Sequence, residues 1–204
     1  MFGLPASTEV NSRIPKEKIY MQLIGHKSRT KERIKAQIEA IYWRNKLADN
    51  TISTAKGKYV EEIQVIEIEL RQKDLDSIIL PAIVKAVHYQ VLFVLTYRSH
   101  AQICINVGDT FYKSKWMLLS EANIQFIGLD LDDIYENIVH QIANNALKKG
   151  IKLTDAVALD IKRRGIMKDI DAIEKKIQKE KQFNRKVELN ERKKELLKEL
   201  EITE

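Results

Sequence analysis

Cys104 is the only cysteine in the chain, which excludes an internal disulfide framework and a zinc site built on cysteines. No apolar run approaches the length that spans a bilayer; the longest lies around residues 91–95. The opening MFGLPASTEV lacks a basic region followed by a long apolar stretch, so no signal peptide is expected and a reducing cytoplasm is the default compartment. No GxGxxG, GxxxxGK or GxSxG occurs. Gly57–Lys58 lacks both the earlier glycine and the following Ser or Thr, which argues against nucleotide hydrolysis by the usual phosphate loop. None of the four histidines, His26, His88, His100 and His140, stands at the spacing of a local metal motif. No cofactor is called for.

What is present is an ordinary globular composition, 44% hydrophobic over 204 residues, enough for one core and an appendage. The central stretch, residues 60–107, organises the rest. VEEIQVIEIELRQ and YQVLFVLTY…AQICINV are rich in Val, Ile and aromatics, as strands are. DLDSIILPAIVKAV carries apolar residues at helical spacing behind Asp74 and Asp76, either able to cap it. The reading is strand, crossover helix, strand, strand, with the first two strands parallel. Residues 89–95 are nearly continuously apolar, as in a strand covered on both faces. Pro81 is expected to kink the crossover helix. YRSHA and Gly108–Asp109 mark turns, residues 111–119 one more strand, and residues 51–53 a short one. Asp130 is expected to cap a helix with Ile134, Ile138, Ile142 and Ala146 on one face, ended by Gly150. The fold class is α+β with an α/β-like core: a mixed sheet of about four strands with flanking helices, spanning residues 1–153.

The charge of +6 is unevenly spread. Residues 1–60 hold twelve Lys/Arg against five Asp/Glu, whereas residues 61–159 hold nine against thirteen. Residues 1–12 read as an extended arm and 15–23 as a short helix with Pro15 in its first turn, ended by Gly25. HKSRTKERIKAQIEAIYWRNKLAD reads as one helix, capped by Ser28 or Thr30, with Ile34, Ile38 and Ile41 facing the core. Lys27, Arg29, Lys31, Arg33 and Lys35 crowd its first turns, where each cation opposes the macrodipole by roughly 0.3–1 kcal/mol. That local cost points to a partner, either phosphate or an acidic protein surface. Lys27, Arg29, Lys31 and Lys35, with Arg44 beside Trp43, are the candidate nucleic-acid-binding residues. The alternatives are a solvated basic helix and a Trp43 that packs the helix on the sheet.

From residue 154 the composition changes: no proline, and one glycine, Gly165. Ile166, Ile170, Ile173 and Ile177 follow coiled-coil spacing, resumed by Leu189, Leu196 and Leu200. Residues 154–204 read as a C-terminal helical hairpin or coiled coil, bending within residues 181–186, or as one uninterrupted helix. They offer a surface for a second copy or another protein.

Glu67 and Glu69 share a strand face and are the one arrangement that suggests metal-dependent nuclease chemistry. The lysine such a site wants two residues after the glutamate is missing: Arg71 stands there, and Lys73 comes later. A strand with a charged outer face explains both carboxylates. Asp130, Asp132, Asp133 and Glu136 are accounted for by the helix first turn, which favours negative charge.

MFGLPASTEVNSRIPKEKIY, IEAIYWRNKLADNTI, VEEIQVIEIELRQKDLDSIILPAIVKAVHYQVLFVLTY and EKQFNRKVELNERKKEL together resemble a bacterial family, domain-of-unknown-function family four-three-nine-one. The resemblance spans nearly the whole chain. Members lie beside genes for DNA methyltransferases and superfamily-two helicases in restriction-like anti-phage loci. The resemblance therefore implies a role in a DNA-targeting defence complex and no particular catalytic residues. Three functional expectations follow. The first is a non-catalytic accessory subunit that binds DNA, a helicase or methyltransferase partner, or both. The second is a divergent metal-dependent nuclease using Glu67 and Glu69. The third is an oligomerisation adaptor that touches no nucleic acid.

Overall fold

The computed structural model describes residues 3–22 and 28–203. The chain divides into two units, Met1–Asn144 and Asn145–Glu204. The first holds a mixed sheet of β1 (Glu9–Arg13), β2 (Ile38–Leu47), β3 (Ile63–Leu70), β4 (Gln90–Tyr97), β5 (His100–Val107), β6 (Thr110–Lys113) and β7 (Met117–Leu118). Their order is β1-β2-β3-β4-β5-β6, with β7 also paired to β5. The sheet is larger than the expected four strands for three reasons, each local.

The arm at residues 1–12 does not stay free. Its second half is β1, an edge strand paired antiparallel to β2. The long basic helix is half its expected length: α2 (Ser28–Gln37) passes directly into β2. Ile38, Ile41, Tyr42 and Trp43 are β-branched or aromatic, and pairing along β3 outweighs helical periodicity there. The apolar stripe still reaches one core, Ile34 from the helix and Ile38 and Ile41 from the strand. Finally, the single strand expected at residues 111–119 is two, β6 and β7, separated around Ser114. That residue's backbone N–H and hydroxyl bond Ile103 from both sides at 2.8 and 2.9 Å. The short strand expected at residues 51–53 is a turn; nearby, only Ala55 forms a bridge, to Asp130.

The central unit is as read. β3 and β4 are parallel, Ile63 opposite Gln90 through Glu69 opposite Thr96, and α3 (Ile79–Ala86) connects them. Pro81 is the third residue of α3. Its missing N–H falls in the first turn, where no intrahelical acceptor exists, so no kink is required there. Asp76 sets the entry, its carboxylate accepting from Ile78 N–H at 3.1 Å. Alternation sends Ile66, Ile68, Phe93, Leu95 and Cys104 to one face, where they pack with Ile19 of α1 (Lys16–Gln22), with Ile34 of α2, and with Ile79 and Ile83 of α3. Val65, Leu92, Val94, Ile103 and Ile105, also buried, point to the other face. There α4 (Leu131–Ala143) packs on β5 and β6 through Ile134, Ile138 and Ile142. The Tyr135 hydroxyl donates to the Asn106 carbonyl.

Asp130 caps α4, accepting from Asp133 N–H at 2.9 Å. Gly150 does not end it. Asn144 does, in the left-handed conformation (φ 47°), and Asn145 follows at φ 67°. Ala146 consequently lies outside the helix. In the second unit α5 (Leu153–Lys179) and α6 (Phe183–Ile202) run antiparallel about a shared core of Ile166, Ile170 and Leu196. Ion pairs Lys162–Glu199 (3.2 Å) and Glu174–Lys193 (2.6 Å) fix the register. The bend falls at residues 180–182.

Candidate nucleic-acid interface

Lys31 and Lys35 lie one turn apart on α2 and are exposed, whereas Ile34 between them is fully buried. The Lys31 ammonium stands 5.2 Å from the centre of the Tyr20 ring, so α1 holds part of its side chain in place. Arg33, by contrast, is spent internally, paired with Asp76 at the entry to α3. Lys27 and the side chain of Arg29, like the expected stop at Gly25, lie outside what the structure describes.

Arg44 is separated from this group by the change from helix to strand. It occupies an irregularity in the β2–β3 register between Trp43 and Asn45. Its guanidinium lies over the Tyr42 ring at 4.4 Å and donates to Glu67 at 2.6 Å. Glu67 is buried, and its second carboxylate oxygen accepts from the Thr96 hydroxyl at 3.2 Å. Both oxygens are therefore engaged by β2 and β4. Glu69 is exposed. Arg71 pairs with Glu39 at 2.9 Å, and the Lys73 ammonium lies over the Trp116 ring, which packs against the core of the opposite sheet face. The residues of the nuclease expectation are not brought together. Among the described residues no group of three or more His, Cys, Asp and Glu is placed to hold a metal ion.

A second basic region borders a cleft of about 530 Å³ at the ends of β1 and β3, where Arg13, Lys16 and Arg71 meet Glu17 and Glu39. The Ile38 carbonyl accepts from Lys16 at 2.5 Å and from Arg71 at 3.3 Å. Burial, and then the neighbouring Arg71 charge, hold the Lys16 ammonium below the ordinary lysine value. Nothing local in the sequence marks this cluster: its members are scattered from residue 13 to residue 71, and only the sheet assembles them.

The acidic run entering α4 has an individual use for each carboxylate. Asp132 accepts from the backbone N–H groups of Lys58, Tyr59 and Val60 at 2.7–3.2 Å. Asp133 accepts from Leu129 N–H at 3.1 Å. Gly57 is needed here: a Cβ would stand 2.2 Å from the Asp132 carboxylate and 2.6 Å from its backbone nitrogen. Residues 57–60 thus form an anion-binding turn that is already filled from within the chain.

Cys104 is fully buried and its thiol is pushed up to about 12 by that burial, which fits a small core residue. His88 and Tyr89, at the entry to β4, are exposed. Among the described residues no helix is long and apolar enough to cross a membrane. No curated protein and no solved structure matches the chain. The family model described as Domain of unknown function (DUF4391) matches residues 2–200, and the chain belongs to that family.

Proposed function

We propose that the protein is a non-catalytic accessory subunit of a restriction-like anti-phage defence complex. It holds DNA through the basic face of α2 and works beside a helicase or methyltransferase. The observation that carries the DNA contact is the exposed Lys31–Lys35 pair, one turn apart on α2 and flanking the buried Ile34. Both precede the strand that continues the same segment into the sheet, so the cations sit on a rigid support. The defence setting rests on the family resemblance. The nuclease alternative loses its support because Glu67 is neutralised by Arg44 and bonded by Thr96.

Binding of duplex DNA should weaken with salt at a log–log slope of roughly −0.9 per phosphate contacted, so three contacts give about −2.7. Changing Arg29, Lys31 and Lys35 together to Gln should flatten the slope by about that amount and leave the fold intact. A titration at several salt concentrations, with the protein alone and with co-purified neighbours from its locus, measures this. An unchanged slope would remove DNA from this face.

A further inference from the structure

The end of the α5–α6 hairpin carries charge of one sign. Residues 175–186 hold Lys175, Lys176, Lys179, Lys181, Arg185 and Lys186 against one acid, Glu180. That acid is occupied by the bend itself. One oxygen of Glu180 accepts from the N–H groups of Lys181 (2.9 Å) and Gln182 (3.0 Å), and the other stands 3.7 Å from Arg185. Lys175, Lys176, Lys179 and Arg185 border a cleft of about 440 Å³ between the two helices.

Helix electrostatics explains only two of these six cations. At the end of α5, Lys176 and Lys179 meet the negative pole of the macrodipole and are stabilised by it. At the start of α6, Arg185 and Lys186 meet the positive pole; the first turn itself contains no acid, and Arg185 finds its ion-pair partner in the bend's Glu180 at 3.7 Å. In that same first turn Phe183 projects into solvent, 78% exposed, between Gln182 and Asn184. The ring adds nothing to the hairpin core, which is formed by Ile166, Ile170 and Leu196. A ring flanked by polar residues offers a flat face for stacking, whereas insertion into a membrane wants a larger apolar cluster.

We infer that this tip is a single-stranded nucleic-acid contact: Phe183 stacks on an unpaired base while Lys179, Lys181 and Arg185 hold the flanking phosphates. It rests on the reading that the chain meets nucleic acid, but it is a separate site from the α2 face and prefers a different form of the polymer. Alternation of an aromatic face with cations is how sequence-tolerant single-strand binding is built.

The test uses the full chain and a fluorescein-labelled oligothymidylate of about 16 nucleotides, the upper end of common single-strand site sizes. Phe183→Ala should weaken binding by about fivefold to 150-fold, and Phe183→Tyr should restore it. Lys179→Gln, Lys181→Gln and Arg185→Gln together should flatten the salt slope by about 2, from roughly 0.7 per single-strand phosphate. Circular dichroism should show unchanged helix content, since all four side chains are exposed. Binding that survives Phe183→Ala, or a slope that survives the triple change, would overturn the proposal. So would binding to anionic lipid vesicles without binding to the oligonucleotide. The α2 variants, titrated in parallel on duplex, separate the two readings. Loss confined to α2 variants would remove the tip and leave the α2 face; loss confined to tip variants would do the reverse.

Discussion

The Arg44–Glu67 pair shows how a surface-looking strand comes to hold a buried charge. Glu67 points to a sheet face already lined by Val94 and Ile103, and its side chain is only 10% exposed, against 30% for Arg44. Removing one partner of a fully buried pair costs about 3–5 kcal/mol. With Arg44 partly in water, Arg44→Met should cost about 2–3 kcal/mol in urea unfolding, and the double change with Glu67→Met should recover much of it. No loss in the single variant would mean that Glu67 finds water. Asp132 is the other residue whose role is tertiary. Asp132→Asn keeps one acceptor oxygen for three backbone donors, so stability should fall by about 1–3 kcal/mol, read from the same denaturant midpoint. Gly57→Ala should destabilise the same turn, because the added carbon would meet the carboxylate and backbone of Asp132. A neutral Asp132→Asn would show that the turn needs no anion.

At the scale of elements, the α5–α6 bend makes a pH prediction. Backbone donation from Gln182, and then Lys181, holds the Glu180 carboxyl below the ordinary carboxylate value. A group lowered on folding contributes stability above its unfolded value and loses it as pH falls through the lowered folded value. The amides of Lys181 and Gln182 should therefore be protected from hydrogen exchange at neutral pH. They should open as pH drops below the carboxylate range, after correction for the intrinsic exchange rate. Glu180→Gln should flatten that dependence, and an identical profile in the variant would assign the effect to another group. The α2–β2 junction teaches a different lesson. Periodicity carried through Ile34, Ile38 and Ile41 as though in one helix, but the sequence changes character at Ile38, where charged residues yield to β-branched and aromatic ones. A strand edge on β3 was waiting there, and hydrogen bonding along the whole of β2 outweighed local helical preference.

For the whole molecule, the two units differ in how much core each commands. Residues 1–144 bury both faces of a sheet, whereas the shared core of α5 and α6 is Ile166, Ile170 and Leu196, with Ile173 and Leu200 at its margin. Chain 1–144 should keep cooperative thermal unfolding when produced alone. Residues 145–204 alone should show partial helicity that falls gradually on heating, because two helices with so small a core barely offset their ordering entropy. A sharp, cooperative melt of the isolated hairpin by circular dichroism would refute this. In the sheet unit most acids are consumed by caps, turns and ion pairs, whereas exposed cations are spread over both units and crowd residues 175–186 at the α5–α6 bend.

The sequence by itself determined the parts whose signal is local. The parallel β3–α3–β4 unit followed from apolar runs on either side of a helical pattern. The Asp130 cap followed from side-chain chemistry three residues deep, and the helical character of residues 154–204 from Ile and Leu at helical spacing, with the choice between a bend and one continuous helix left open. Tertiary structure alone decided what depends on pairing between distant segments. Residues 9–13 have no strand pattern of their own and became β1 because β2 offered a free edge. Half of the expected basic helix became β2 because β3 stood beside it. Arg44, expected beside Trp43 in an aromatic-plus-basic surface, instead pairs with Glu67 on the adjacent β3, where the β2–β3 register shifts between Trp43 and Asn45. The Asp132 carboxylate of α4 found the N–H groups of residues 58–60, more than seventy positions away. Helical and strand periods are written within a few residues of one another, but a hydrogen bond across a sheet is chosen only when both partners are in place.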